Sequence, residues 1–321
     1  MKQKAEAMVK SKSIFSRMET LRVYLLLLAV YVVACIITPA YFSVSYLNTL
    51  LLGTSMLGIL SIGQTLVILT GGIDMSICYS MTFSAVVTTQ LVRSGNHVLA
   101  AVIGVAICVV VGLINGLGVA FVNIPPIIMT LAMNSILLSM CMIYTNGTPK
   151  GTAPAFMETI VNGKFLGLRG GIWIWIITAV IVIIILAKST FGRKIIAVGS
   201  NREAARFSGI KERAVLVSTY TLSGLFVGIA MLVAIGYSGR SYLTIAGDYN
   251  LESVSAVVVG GTSIMGGKGG YVGTIAGCII LQLVMAVLTV ANIDSAGQDI
   301  IYGVIIIGVL VLYRFKSLRR S

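Results

Sequence analysis

Of 321 residues, 57% are apolar and only 10% are charged, with a mean hydropathy of +1.01. An ordinary soluble domain carries about 25% charged residues, so this chain lacks the polar surface to cover a water-soluble globule; a soluble enzyme, a secreted disulfide scaffold and a disordered chain are excluded. The net charge of +13 comes from short basic clusters between apolar runs, a pattern that orients membrane spans and argues against nucleic acid as a partner.

Apolar runs of membrane-spanning length, about 17–25 residues each, are expected near 23–38, 47–70, 77–92, 98–121, 126–144, 172–187, 214–236, 252–265, 271–291 and 298–313. The expected fold is an all-α polytopic membrane protein of about ten transmembrane helices. A basic segment, 1–22, precedes a membrane domain, 23–313, with a long loop at 188–213; a basic tail, 314–321, follows. The 252–265 run is short and Gly-rich on its C-terminal side, as a half-helix or re-entrant piece would be. If the N-terminus is cytoplasmic, eighteen of the 23 basic residues fall inside, and only Arg93, Lys150, Lys164, Arg169 and Arg240 fall outside. Both termini are therefore expected in the cytoplasm. The first run follows six basic residues but has no small-x-small cleavage site after it, so it is expected to remain as a helix. Trp173 and Trp175 open the sixth run, where indole rings suit a membrane interface.

Two connections are long. Residues 145–171, rich in Gly, Pro, Thr and Asn and carrying Glu158, are expected outside. Residues 188–213 are strongly basic and expected in the cytoplasm. Within them Ser200-Asn201-Arg202-Glu203 has the S-x-x-E form of a capping box, Ala204, Ala205 and Arg206 favour helix, and Phe207-Ser208 lead to Gly209, which can end it. A helix over 201–208 follows, with Ser200 as its cap. On residues alone, a self-satisfied surface helix and a docking element for a cytoplasmic partner are equally open.

Two glycine clusters stand out: Thr70-Gly71-Gly72-Ile73-Asp74-Met75-Ser76, and Gly260-Gly261-Thr262-Ser263-Ile264-Met265-Gly266-Gly267-Lys268-Gly269-Gly270. Tight turns and helix packing account for most such glycines; in the second cluster a helix break beside a translocation path competes. Lys268 does not complete a phosphate loop, because residue 262 is Thr and residue 269 is Gly where that motif needs Gly and Ser or Thr. The five cysteines are scattered in apolar runs and His97 is the only histidine, so no metal site and no redox dithiol are expected.

Asp74 is expected to cap the third span. Asn115, Asn134 and Gln282 lie within spans, where amides bond neighbouring helices. Asp248 and Glu252 are placed at the outer end of the eighth span, either capping locally or facing an external partner. No carboxylate, Lys or Arg falls mid-span, which weighs against an ion-coupled secondary transporter.

Leu69-Thr70-Gly71-Gly72-Ile73-Asp74-Met75-Ser76, Tyr144-Thr145-Asn146-Gly147-Thr148-Pro149, Gly192-Arg193, Asn201 to Ile210 and Val259 to Gly269 resemble, in order, the motifs of ribose-type permeases. These are the membrane subunits of bacterial ABC importers for monosaccharides. The resemblance covers nearly the whole chain beyond the basic N-terminus. It implies a ten-helix permease in the cytoplasmic (inner) membrane, paired with a second copy or a related permease. It also implies two ATPase modules, which bind ATP with Mg, and an external sugar-binding protein. The 201–208 helix becomes the element that couples to the ATPase; Asp74, Asn115, Asn134, Gly260, Gly261, Thr262, Gly266 and Gly267 become candidates for the path. The chain needs no cofactor or catalytic residue of its own. Two departures bear on the substrate: Ile77-Cys78-Tyr79 adds bulk where the family has a glycine, and Leu251-Glu252 stands where it often has Leu-Asp. The competing readings are a secondary transporter or facilitator working alone, and a membrane-embedded enzyme, for which no constellation is visible.

Overall fold

A computed structural model describes residues 21–247 and 249–294, together with 297, 298, 300, 301, 303, 304, 307 and 308. The described chain is almost wholly helical. Its helices are α1 (Leu21–Ile37), α2 (Val44–Leu69), α3 (Ile77–Leu91), α4 (His97–Phe121), α5 (Pro126–Thr145), α6 (Ala155–Asn162), α7 (Gly170–Lys188), α8 (Thr190–Ser200), α9 (Arg202–Phe207), α10 (Glu212–Ser238), α11 (Tyr249–Val259) and α12 (Tyr271–Val290). A two-residue hairpin, β1 (Lys164–Phe165) with β2 (Leu168–Arg169), lies between α6 and α7.

Among the described residues six helices, α2, α4, α5, α7, α10 and α12, are long and apolar enough to cross a membrane. Their burial differs sharply: 89% of the apolar window of α2 is enclosed, against 17% for α5. α2 is thus the axis of the bundle, and α5 is one of its outer staves. α10 packs most extensively on α4 and then on α2, while α11 and α12 pair and lean on α2. Glycine makes these approaches close. A Cβ on Gly63 of α2 would lie 2.9 Å from Ser223 Cα of α10, and one on Gly260, after α11, 2.6 Å from Thr274 Cα of α12. Backbones this near gain dispersion contacts that lipid cannot supply.

Of the remaining expected spans, 298–313 lies largely outside the described residues, as do 1–20, the tail and Asp248. α3 has 15 residues and α11 has 11, both short of the ~20 that a full crossing takes. For α3 and α11 the reason is tertiary. At its far end α3 meets the chain just beyond α10, Thr89 Oγ1 lying 2.6 Å from Ser241 Oγ. At its start the Cys78 N–H donates to Asn250 Oδ1 at 3.1 Å. The eleven helical rises from Cys78 to Thr89 span about 16 Å, so the segment after Ser241 descends that far along α3 before α11 begins. Both are shortened helices, α11 about half and α3 about three-quarters of a crossing, that start part-way through the bundle.

The two long connections are both structured. The 145–171 segment contains α6 and the hairpin. The 188–213 segment carries two helices, because Ser189 accepts the Gly192 N–H and starts α8 before α9. The two tryptophans have different surroundings. Trp173 donates to Phe165 O at the hairpin, but Trp175 is buried against Gly58 of α2 and donates to Tyr271 Oη at 2.7 Å. A glycine opposite leaves the indole room to turn inward.

Candidate coupling and translocation site

Three chain segments meet at one end of the bundle. α2 ends at Leu69, and Thr70-Gly71 turns the chain, with φ +81° at Gly71. α8 ends at Gly199-Ser200. The loop between α11 and α12 turns through Gly266 and Gly267, at φ +80° and +70°. The Gly267 N–H donates to Leu69 O at 3.0 Å. A Cβ at Gly266 would stand 2.8 Å from Gly71 N and 3.0 Å from Gly199 O; one at Gly267 would stand 2.7 Å from Ser200 Cα. Glycine is required here twice over, by the left-handed φ and by backbone on every side. The rest of the loop is closed internally: Ser263 N–H donates to Lys268 O, and buried Thr262 accepts the Gly270 N–H. Gly261 also has positive φ, +89°, where α11 gives way to the loop.

α9 projects directly from this junction. Asn201, not Ser200, is its cap: Asn201 Oδ1 accepts the Ala204 N–H at 3.0 Å. The Ser200–Glu203 capping box does not form, because Ser200 still belongs to α8, where its hydroxyl donates to Ile196 O at 2.8 Å. The helix is therefore six residues long, Arg202–Phe207, and Ser208 follows it. Gly209 ends it as expected, at φ +78°. Ala205 is buried beneath it, while Arg202, Glu203, Ala204 and Arg206 are exposed and Phe207 is 90% exposed.

From Gly71 the chain turns back into the bundle. Asp74 is buried; its Oδ1 accepts from Ser76 N–H at 3.0 Å and Ser76 Oγ at 2.7 Å, and its Oδ2 accepts from Ser223 Oγ at 3.0 Å. Ser223 also faces Gly63, six residues before the end of α2, so the carboxylate lies about 9 Å inside the bundle. The expected capping role is corrected: α3 begins at Ile77 with no side-chain cap, and Asp74 instead ties a non-helical stretch to α10. Asn115 of α4 joins the knot, donating from Nδ2 to Ser76 Oγ at 2.8 Å. Asn134 of α5 accepts the Tyr79 N–H at 3.3 Å. Fully buried atoms without a protein partner lie on the same helices: Asn115 Oδ1, Tyr220 Oη and both amide atoms of Gln64. Gln64 carries the same signal as Asn115 and Gln282, an amide within an apolar run, and sequence reasoning missed it; Ser223 and Tyr220 are ordinary residues of such runs, and only their burial singles them out.

One departure from the family pattern meets the residue just before the other. Cys78 and Asn250 bond reciprocally, the Asn250 N–H lying 3.2 Å from Cys78 Sγ. Glu252, half-buried in the first turn of α11, is two residues further on. This contact holds the start of α11, and Glu252 with it, against the start of α3. All five cysteines are buried and unbridged.

Six long apolar helices, two shortened helices starting within the bundle and a short basic helix projecting at one end define a multi-pass membrane transport protein. The family described as "Branched-chain amino acid transport system / permease component" matches residues 46–310, and the chain belongs to it. The ribose import permease protein RbsC of Bacillus subtilis (strain 168) is 33% identical over 304 residues, 94% of each chain. The RbsC of Escherichia coli (strain K12) is 31% identical over 286 residues, 88% of this chain and 89% of that one. The fructose import permease protein FrcC of Rhizobium meliloti is 30% identical over 292 residues, 88% of this chain and 81% of that one. No solved structure matches.

Proposed function

We propose that this chain is the permease subunit of an ABC importer in the bacterial inner membrane, carrying a small sugar, pentose or hexose. In this reading an external binding protein delivers the sugar, and a separate ATPase, using ATP with Mg, drives the cycle. A second copy or a related permease completes the pore; the bundle has ten spans, and both termini face the cytoplasm. The sugar follows from the ribose and fructose importers among the relatives, although the family's description names amino acids.

The observation that carries the reading is the junction below α9. A six-residue helix with an exposed aromatic follows directly on Gly199-Ser200, the end of α8, which is in backbone contact with the end of α2 and with the Gly266-Gly267 turn. An ATPase that moves α9 would move both. The path runs where α3 and α11 begin, since shortened helices that start inside a bundle mark solute sites in many transporters. Asp74, Asn115 and Asn134 line the approach with Thr262 and Gly260, and Gln64 joins them. Buried polar groups left unpaired cost free energy, and a passing polyol would satisfy them. Glu252 and Asp248 are the binding-protein-facing candidates, reached when the mouth above α11 opens.

The test is reconstitution. Binding-protein-dependent sugar uptake in liposomes should require this chain, the ATPase and ATP together. Uptake by this chain alone would overturn the proposal.

A further inference from the structure

Beside α9 lies a cavity of about 370 Å³ lined by Arg206, Ile210, Lys211, Glu212 and Arg213. Three cations face one carboxylate around an open volume, so the site carries excess positive charge. Arg213 also lies over the ring of Phe121, 5.4 Å from its centroid. Phe121 ends α4, and from it an exposed apolar stripe runs back along that helix through Leu117, Ile114, Leu113 and Val110. The spacings of three and four residues keep these side chains on one face. A basic cavity thus opens at the end of an apolar strip long enough for an acyl chain: eleven helical rises, about 16 Å.

We propose that this cavity binds the phosphate headgroup of an anionic phospholipid from the cytoplasmic leaflet, with an acyl chain along α4. The inference rests on the cytoplasmic placement of α9 proposed above. Free phosphate would use the same cations but leave the strip uncovered. A soluble protein partner would meet apolar side chains suited to lipid. Basic pockets at the cytoplasmic face between helices hold such headgroups in other membrane proteins, by charge and geometry together. Because Arg206 belongs to α9 and Lys211 to the link between α9 and α10, the bound lipid would brace the helix proposed to meet the ATPase.

The test needs only the full-length permease in neutral detergent, so its outcome is separate from that of the coupling proposal. Short-chain phosphatidylglycerol should raise the thermal midpoint saturably, while phosphatidylcholine and glycerol 3-phosphate should not. Lys211→Gln with Arg213→Gln should weaken that binding about thirtyfold, roughly fivefold per cation removed. Lys188→Gln with Lys194→Gln, outside the cavity, should leave it unchanged. A photoactivatable phosphatidylglycerol should crosslink to 110–121 and 210–213 in the unmodified protein, which covers the case of an unstable variant. Equal stabilisation by glycerol 3-phosphate would reduce the site to a free-anion site. Unchanged affinity in the Lys211 and Arg213 variant, or crosslinks elsewhere, would overturn the assignment.

Discussion

The Gly267 N–H and the Leu69 carbonyl, 198 positions apart in sequence, are 3.0 Å apart in space. Through this bond the end of the most enclosed helix and the turn between α11 and α12 share a contact beside the last residues of α8. A push on α9 therefore reaches two elements that flank the interior.

Gly266→Ala should disable transport while leaving the protein in the membrane. A Cβ there must displace backbone at Gly71 and Gly199 and hold φ near +80°, which costs on the order of 1–3 kcal/mol. That is small beside a multi-helix bundle and large for one turn. Gly270→Ala is the control, because its φ of 165° is extended backbone and nothing lies within 4 Å. Uptake should fall at least tenfold in the first and stay normal in the second, at equal membrane abundance.

The cap of α9 separates Asn201 from Ser200. Asn201→Ala removes the bond to the Ala204 N–H, worth about 1 kcal/mol, and should weaken co-purification with the ATPase. Ser200→Ala loses only a bond within α8 and a long 3.5 Å contact to Gly267 O, and should do so less. Gly209→Val should act more strongly than either, since the space around it is open and the φ of +78° alone resists a β-branched residue.

Asp74→Ala strands three donors, Ser76 N–H, Ser76 Oγ and Ser223 Oγ. Each buried unpaired donor costs about 1–3 kcal/mol, so thermal stability and abundance should both drop. Asp74→Asn keeps an acceptor for Ser76 and offers a donor to Ser223, and should be the milder change. Equal loss in both variants would mean that the charge, rather than the hydrogen bonds, holds the knot.

Gln64→Leu should raise stability and lower uptake. Both amide atoms are buried without a partner, and replacing an unsatisfied buried amide with an apolar group of similar size removes its desolvation penalty. If the amide serves the path, the stabilised protein transports less. A thermal midpoint and an uptake rate from one preparation decide the point; raised stability with unchanged uptake removes Gln64 from the path.

The long apolar runs were legible because hydropathy over about 20 residues is a property of the segment itself; α5, read at 126–144, is observed at Pro126–Thr145. Gly209 was legible for a similar reason, as a local stop. The start of α3 was legible as well, read at 77 and observed at Ile77; the bounds of α11, read at 252–265 and observed at Tyr249–Val259, were not, because Cys78–Asn250 and Thr89–Ser241 tie this stretch to α3 across 172 and 152 positions. Neither contact leaves a trace in local pattern. The shift of the cap from Ser200 to Asn201 is a contest between adjacent residues that both favour caps, decided when Ser200 turned its hydroxyl to Ile196 O. Trp175 pointed inward because of one glycine among 35, and composition gives no means of choosing Gly58 from the rest.

The Trp175 indole donates to Tyr271 Oη, which donates in turn to Gly58 O at 2.8 Å, so one ring reports on the joint of α7, α12 and α2. The chain has two tryptophans, and Trp173 sits at the hairpin. Replacing Trp173 with Phe would leave a single native fluorophore in a dry, hydrogen-bonded niche. Its emission wavelength and quenching by acrylamide would then follow the opening of that joint in real time, with no dye attached.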